Sequence, residues 1–206
     1  MRIGFFGGSF DPPHLGHLAV ARAAADAFSL DRVLFVPTAH QPLKPDGAAA
    51  PYRDRLAMVS LLCDLQPANT APHFEPSSLD APLPNTAPNY TVDTLTRLRR
   101  TLPATSSLFV IIGADAFLSL PRWRSPDTLL HLAEWIVVSR PGFFLHQLDD
   151  LNLAPAQLQR VHLLDGVQEL ASATTIRSLL RAGSDCTGLL PTSILDYIRA
   201  HHLYAT

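Results

Sequence analysis

Gly4-Phe5-Phe6-Gly7-Gly8-Ser9-Phe10-Asp11-Pro12-Pro13-His14-Leu15-Gly16-His17 is the stretch whose reading decides the fold. Met1 to Phe6 has the residue types of a strand buried in a sheet. Gly7 and Gly8 are expected to end that strand and to let the backbone approach a ligand with no side chain in the way. Asp11, Pro12 and Pro13 then make an extended, donor-poor corner ahead of a helix. The helix is the Ala-rich run from His14 through Leu18, Val20 and Ala23 to Phe28. His14 and His17 stand three apart, so in a first helical turn both imidazoles share one face, beside unpaired N–H groups and the positive end of the dipole. Such a corner attracts phosphate, and Gly16 between the rings is expected to leave its surface open.

Working outward, Arg32 to Val36 reads as a second strand closed by Pro37. A strand, helix, strand order of this length implies a right-handed crossover and a parallel sheet. The loop after it, through His40, Gln41, Pro42, Leu43 and Lys44, leaves from the same sheet edge as the glycine turn, the edge where open α/β sheets bind ligands. Lys44 can meet a phosphate there. Tyr52 to Asp64 has helical spacing, with Leu56, Val59 and Leu62 or Cys63 on the packed side and Arg53 and Arg55 opposite. Residues 65 to 89 read as a long loop with one short strand around His73 to Glu75, and long loops are often binding segments. Thr91 is placed to cap the helix that carries Leu95 and Leu98. Ser107 to Ile112 is a strongly apolar strand ending in Gly113-Ala114-Asp115, where Gly113 permits close approach and Asp115 either caps a helix or accepts from ribose hydroxyls. Trp135 belongs to a further strand, Glu134 to Ser139, as a core residue. A helix near Ala154 to Arg160, a last strand from Val161 to Leu164 and a closing helix from Leu190 to Tyr204 complete the chain.

Composition narrows the partners. The 206 residues carry a net charge of −2 and no long Lys/Arg run, which argues against a nucleic-acid backbone as partner. Two cysteines without CxxC spacing, and no secretory leader, point to a reducing cytoplasm. No apolar run approaches the ~20 residues that span a bilayer. The composition leaves a homo-oligomer open. Neither a GxxxxGK[ST] phosphate loop nor a GxGxxG fingerprint is present, and no HExxH or Cys/His cluster offers a protein-held metal site.

Gly7 to His17 resembles the HxGH signature of the nucleotidyltransferases. Gln41 to Lys44 resembles a PPHK-like segment of the bacterial nicotinate mononucleotide adenylyltransferases, with Lys44 kept, Leu43 in place of the histidine, and His40 a candidate stand-in. Pro88 to Thr94 is similar to their PSYTFDT stretch, Ile111 to Asp115 to IIGAD, Leu120 to Trp123 to LPxW, Arg140 to Gly142 to an RPG turn, and Ser172 to Arg177 to SSTxIR with Ala173 for the second serine. The resemblance implies an α/β, Rossmann-like doubly wound parallel sheet in a single domain over residues 1–206, with a small helical annex from about residue 172. It implies AMP transfer from ATP to nicotinate mononucleotide in NAD biosynthesis, with Mg2+ carried mainly on the ATP phosphates. His14, His17, Lys44 and Arg177 are then the catalytic candidates. Gly7, Gly8, Ser9, Phe10, Gly113, Asp115, Ser172 and Thr174 would meet ATP. Tyr90, Thr91, Trp123 and Arg140 would meet the pyridine nucleotide. The HxGH opening fixes the reaction and leaves the acceptor open among nicotinate mononucleotide, nicotinamide mononucleotide and phosphopantetheine; a non-catalytic nucleotide sensor is the reading from another class.

Overall fold

Strands buried on both faces need apolar side chains on both, and successive side chains of a strand point to opposite faces. Phe5 and Phe6 show how this chain meets the demand. In the computed structural model, which describes residues 1–44, 46–67, 70–139, 151–167 and 172–205, Phe5 joins Leu34, Val36, Val110 and Trp135 on one side of the sheet. Phe6 joins Phe35, Phe109, Ile111 and Ile136 on the other.

Among the described residues the sheet has six strands: β1 (Arg2–Gly8), β2 (Arg32–Pro37), β3 (His73–Pro76), β4 (Ser107–Gly113), β5 (Glu134–Val138) and β6 (Val161–Leu164). Their order is β3-β2-β1-β4-β5-β6, and all pairs are parallel. Strand order therefore reverses between β1 and β4, the switch point outside whose carboxyl ends ligands of doubly wound sheets bind. Helices α1 (Leu15–Phe28), α2 (Tyr52–Cys63), α7 (Ala173–Arg181) and α8 (Thr192–Ala200) cover the Phe6 face. Helices α3 (Thr91–Thr101), α4 (Ala114–Phe117) and α5 (Pro126–Leu132) cover the Phe5 face, and α6 (Pro155–Leu158) is a single turn before β6.

Several expectations are corrected. Gly7 and Gly8 end β1 from within, pairing with Val36 and Pro37 as its last residues, so the strand runs two residues past Phe6. The α2 stripe is Arg55, Met58, Val59, Leu62 and Cys63, so Arg55 lies on the buried side and not opposite it. Thr91 is the first residue of α3, and Tyr90 holds the cap position. Helix α5 was not anticipated. The helix expected over 154–160 is only the turn α6, and the closing helix stops at Ala200. Helices α7 and α8 bury Ile176, Ile194 and Ile198 in the same core as α1 and α2, and the Tyr197 hydroxyl donates to Asp54 of α2 at 3.0 Å. Cys63 and Cys186 are free and buried, and burial pushes the Cys63 thiol up to about 12, which leaves it inert as a nucleophile. Among the described residues no helix is long and apolar enough to cross a membrane.

Candidate active site

Beyond Gly8 the backbone turns through Phe10 at φ 47°. This drives the Phe10 ring down into the core between Phe6 and Phe35, with centroid separations of 5.4 and 5.8 Å. The His17 ring rests on it at 4.8 Å. His14 holds the cap position of α1, and its backbone N–H donates to His17 Nδ1 at 3.1 Å. That bond leaves Nε2 as the protonated nitrogen of a neutral His17 ring. The two imidazole centroids are 3.8 Å apart. Gly16 is buried, so the opening expected there does not exist; His14 is itself 4 % exposed.

Asp11, 5 % exposed, ties this corner together. Its carboxylate accepts from the backbone N–H of Ala49 at 2.7 Å and Ala50 at 3.0 Å, and from the Tyr204 hydroxyl at 2.7 Å. Burial first, then Asp11, pushes the Tyr204 phenol far up, so Tyr204 is a permanent donor. Arg177 Nη1 donates to the Asp11 carbonyl at 2.7 Å and lies 3.8 Å from its carboxylate, while Nη2 reaches Thr174 Oγ1 at 3.3 Å. Ser172 caps α7 by accepting from Thr175 N–H at 3.2 Å. The start of α7 is thus tied by the side chain of Arg177 to Asp11, three residues ahead of His14, which places N–H donors and a guanidinium, the groups an anion requires, on the segment that carries the imidazole pair.

Beside the corner, across the β1/β4 switch point, lies a cleft of about 220 Å³ lined by Gly7, Gly8, Ser9, Lys44, Tyr90, Thr91 and Trp123, among others. A Cβ on Gly7 would stand 2.8 Å from the Phe5 ring, and one on Gly8 3.3 Å from that of Phe10, so the strand end stays bare. Lys44 Nζ donates to Ser9 Oγ at 3.2 Å, and Ser9 donates to Gln41 at 3.4 Å. Trp123 is fixed by its indole N–H on Ser119 at 2.9 Å and by an edge contact with buried Trp135 at 6.4 Å. Tyr90 lies under the Arg124 guanidinium at 4.7 Å. Buried Asn89 accepts from His40 N–H and donates to the Ala81 carbonyl, both at 3.0 Å, pinning the two loops that wall the cleft. Asp80 also lines it and accepts from Thr94 and, at 3.5 Å, Thr38; burial raises its carboxyl above the usual range against those bonds and Arg97.

The Cytidylyltransferase-like family model matches residues 5–179. A probable nicotinate-nucleotide adenylyltransferase of Solibacter usitatus is 40 % identical over 204 residues, 99 % of this chain and 100 % of that protein. One of Thermus thermophilus is 38 % identical over 204 residues, with 99 % and 100 % covered. The chain belongs to the nicotinate-nucleotide adenylyltransferase family. Its fold is that of the Plasmodium falciparum nicotinic acid mononucleotide adenylyltransferase complexed with NaAD, at TM-score 0.76, 17 % identity, and 98 % and 97 % of the two chains covered. The same enzyme complexed with APC gives TM-score 0.74, 16 % identity, and 98 % and 96 % covered.

For this member of the nicotinate-nucleotide adenylyltransferase family, the sequence candidates fall into two groups. His14 and His17 pair at the head of α1, and Arg177, with Thr174 and Ser172 at the head of α7, reaches Asp11 ahead of them; Gly7, Gly8, Ser9, Lys44, Tyr90, Thr91 and Trp123 line the cleft. Phe10 contributes its ring to the core and none to the cleft. Gly113 ends β4 with open space where a Cβ would stand, and exposed Asp115 is the second residue of α4. Arg140 lies outside the described residues. Leu43 lines the cleft and His40 does not; the His40 main-chain N–H donates to Asn89. Asp11, Arg55, Asp80, Asn89 and Tyr204 are the site residues that the sequence did not single out. Among the described residues no group of three or more His, Cys, Asp or Glu could hold a metal ion.

Proposed function

We infer that the chain transfers AMP from ATP to nicotinate mononucleotide, giving nicotinate adenine dinucleotide and pyrophosphate for NAD biosynthesis in the cytoplasm. The observation that carries this reading is the adjacency, across one switch point, of a donor-rich imidazole corner and an aromatic-walled cleft. The corner suits a triphosphate. The cleft suits a flat ring with a phosphate on its sugar, the ring lying against Trp123 and Tyr90 and the phosphate turned toward Lys44.

In the reaction an oxygen of the acceptor phosphate attacks the α-phosphorus of ATP. The bond from that phosphorus to the bridging oxygen breaks, and pyrophosphate leaves with its electron pair on the opposite side. No protein nucleophile is needed, so rate enhancement comes from alignment and from donors aimed at the phosphate oxygens as charge shifts. His17 Nε2, His14 and Arg177 serve that role at the corner, and Lys44 draws the acceptor phosphate in line. Arg177 is already braced by Asp11 and Thr174. The corner's N–H donors and guanidinium offer no oxygen ligands, so Mg2+ would be held by ATP oxygens and water, in keeping with its reluctance to shed water, and would neutralise phosphate charge.

The test is pyrophosphate release from ATP with nicotinate mononucleotide, nicotinamide mononucleotide or phosphopantetheine as acceptor. Release with nicotinate mononucleotide at the highest kcat/KM is expected. Preference for phosphopantetheine, or ATP binding without release whatever the acceptor, overturns the reading.

A further inference from the structure

Arg55 is 1 % exposed, and a guanidinium in such a place needs partners for its charge and its N–H groups. It finds three carbonyls in three separate segments. Nη1 donates to Ser9 O at 2.5 Å, just past the end of β1; Nη2 donates to Thr38 O at 2.9 Å, just past the end of β2; Nε donates to Ala50 O at 3.1 Å, ahead of α2. The Ala50 N–H goes to Asp11, so Arg55 and Asp11 grip one peptide segment from its two sides. Ser9 and Thr38 line the cleft, and Arg55 itself does not.

We propose that Arg55 is a positioning residue for phosphate binding, acting through the Ser9 carbonyl to set the Ser9 hydroxyl and, through it, the Lys44 ammonium. The geometry is a rigid fork. A planar guanidinium holding the ends of two adjacent parallel strands fixes the direction in which both loops leave the sheet. Ser9 is one residue past β1 and its Oγ is the acceptor for Lys44 Nζ at 3.2 Å. Rotation of the Ser9 peptide would carry that hydroxyl, and the lysine with it, away from the acceptor phosphate. Lysine at position 55 would keep the charge but, as a single point of donation, could not hold three carbonyls at once. The inference rests on the proposed adenylyl transfer, since Lys44 has a phosphate to meet only if the cleft takes one.

The experiment is a double-mutant cycle on pyrophosphate release with ATP and nicotinate mononucleotide, using the wild type, Arg55→Lys, Lys44→Ala and the double variant, with thermal melting of each. Groups that act as one unit lose their effect once, not twice. The prediction is that Arg55→Lys lowers kcat/KM about tenfold or more while the chain still melts cooperatively, and that adding it to Lys44→Ala costs less than about threefold further. Multiplicative losses in the double variant would overturn the role through Lys44. If Arg55→Lys does not fold, Arg55→Gln takes its place in the cycle; failure of both to fold would make Arg55 a residue of the fold alone and also overturn the proposal. No release by the wild type would instead sink the adenylyl-transfer reading, so the two failures are told apart.

Discussion

The imidazole corner and the aromatic cleft lie side by side and are built on opposite physical plans. The corner stands on buried polar groups: Asp11 gathers two backbone N–H groups, a phenol and a guanidinium, and Arg55 gathers three carbonyls from the loops that join corner to cleft. The cleft stands on apolar walls, with Trp123 against Trp135 and the bare end of β1 over Phe5. Polar networks in a low-dielectric interior fix geometry closely but suffer when a member is lost. Apolar walls tolerate change and lose affinity in proportion to contact. Chemistry is therefore expected to fail when the corner is damaged, and acceptor affinity when the cleft is.

The sharpest break in that contrast is His17→Ala, which removes the donor proposed for the triphosphate and should lower kcat by about a hundredfold or more, while loss of its cap bond lowers the melting temperature by only a few degrees and the chain still folds. Near-normal turnover in a folded variant would remove the corner from the chemistry. Asp11→Asn comes next: it leaves buried donors poorly met, costs about 1–3 kcal/mol, and should lower the melting temperature by about 2–4 °C per kcal/mol, together with turnover. Unchanged stability by calorimetry would mean that the hub is not what holds the corner. Trp123→Ala should raise KM for nicotinate mononucleotide about two- to tenfold and leave kcat largely intact; a fall in kcat alone would show that the wall takes part in the chemical step.

The smallest expected effect concerns Asp80. Burial raises its carboxyl in the folded chain, so the folded state keeps this proton to a higher pH than the unfolded state. As pH rises from the ordinary aspartate range through the raised value, the group's contribution to stability falls. Asp80→Asn cannot ionise, and its advantage over the wild type should grow between about pH 4 and about pH 7. Chemical denaturation at both pH values checks this, and a difference that stayed constant would contradict it.

The contrast also explains what could be read from the chain alone. Alternating apolar strands with glycine at their ends specify a parallel sheet and its binding edge, and contiguous motifs place His14, His17, Lys44, Tyr90 and Trp123 on that edge. Helix α5 carries its start signal in Ser125-Pro126-Asp127, a short signal easily lost beside the adjoining motif. Arg55 was not legible, because a single arginine at the head of the stripe formed with Met58, Val59, Leu62 and Cys63 reads by type as the solvated side. Its burial comes from carbonyls supplied by distant loops. Tyr204 meets Asp11 from 193 residues away, a distance at which local spacing carries no information.

The central claim is the division of labour between corner and cleft, and a crystal structure with a non-hydrolysable ATP analogue and nicotinate mononucleotide tests it most directly. The triphosphate is predicted over His14 and His17 within reach of Arg177, with the pyridine ring against Trp123. A triphosphate in the aromatic cleft, or a pyridine ring over the imidazoles, would contradict it.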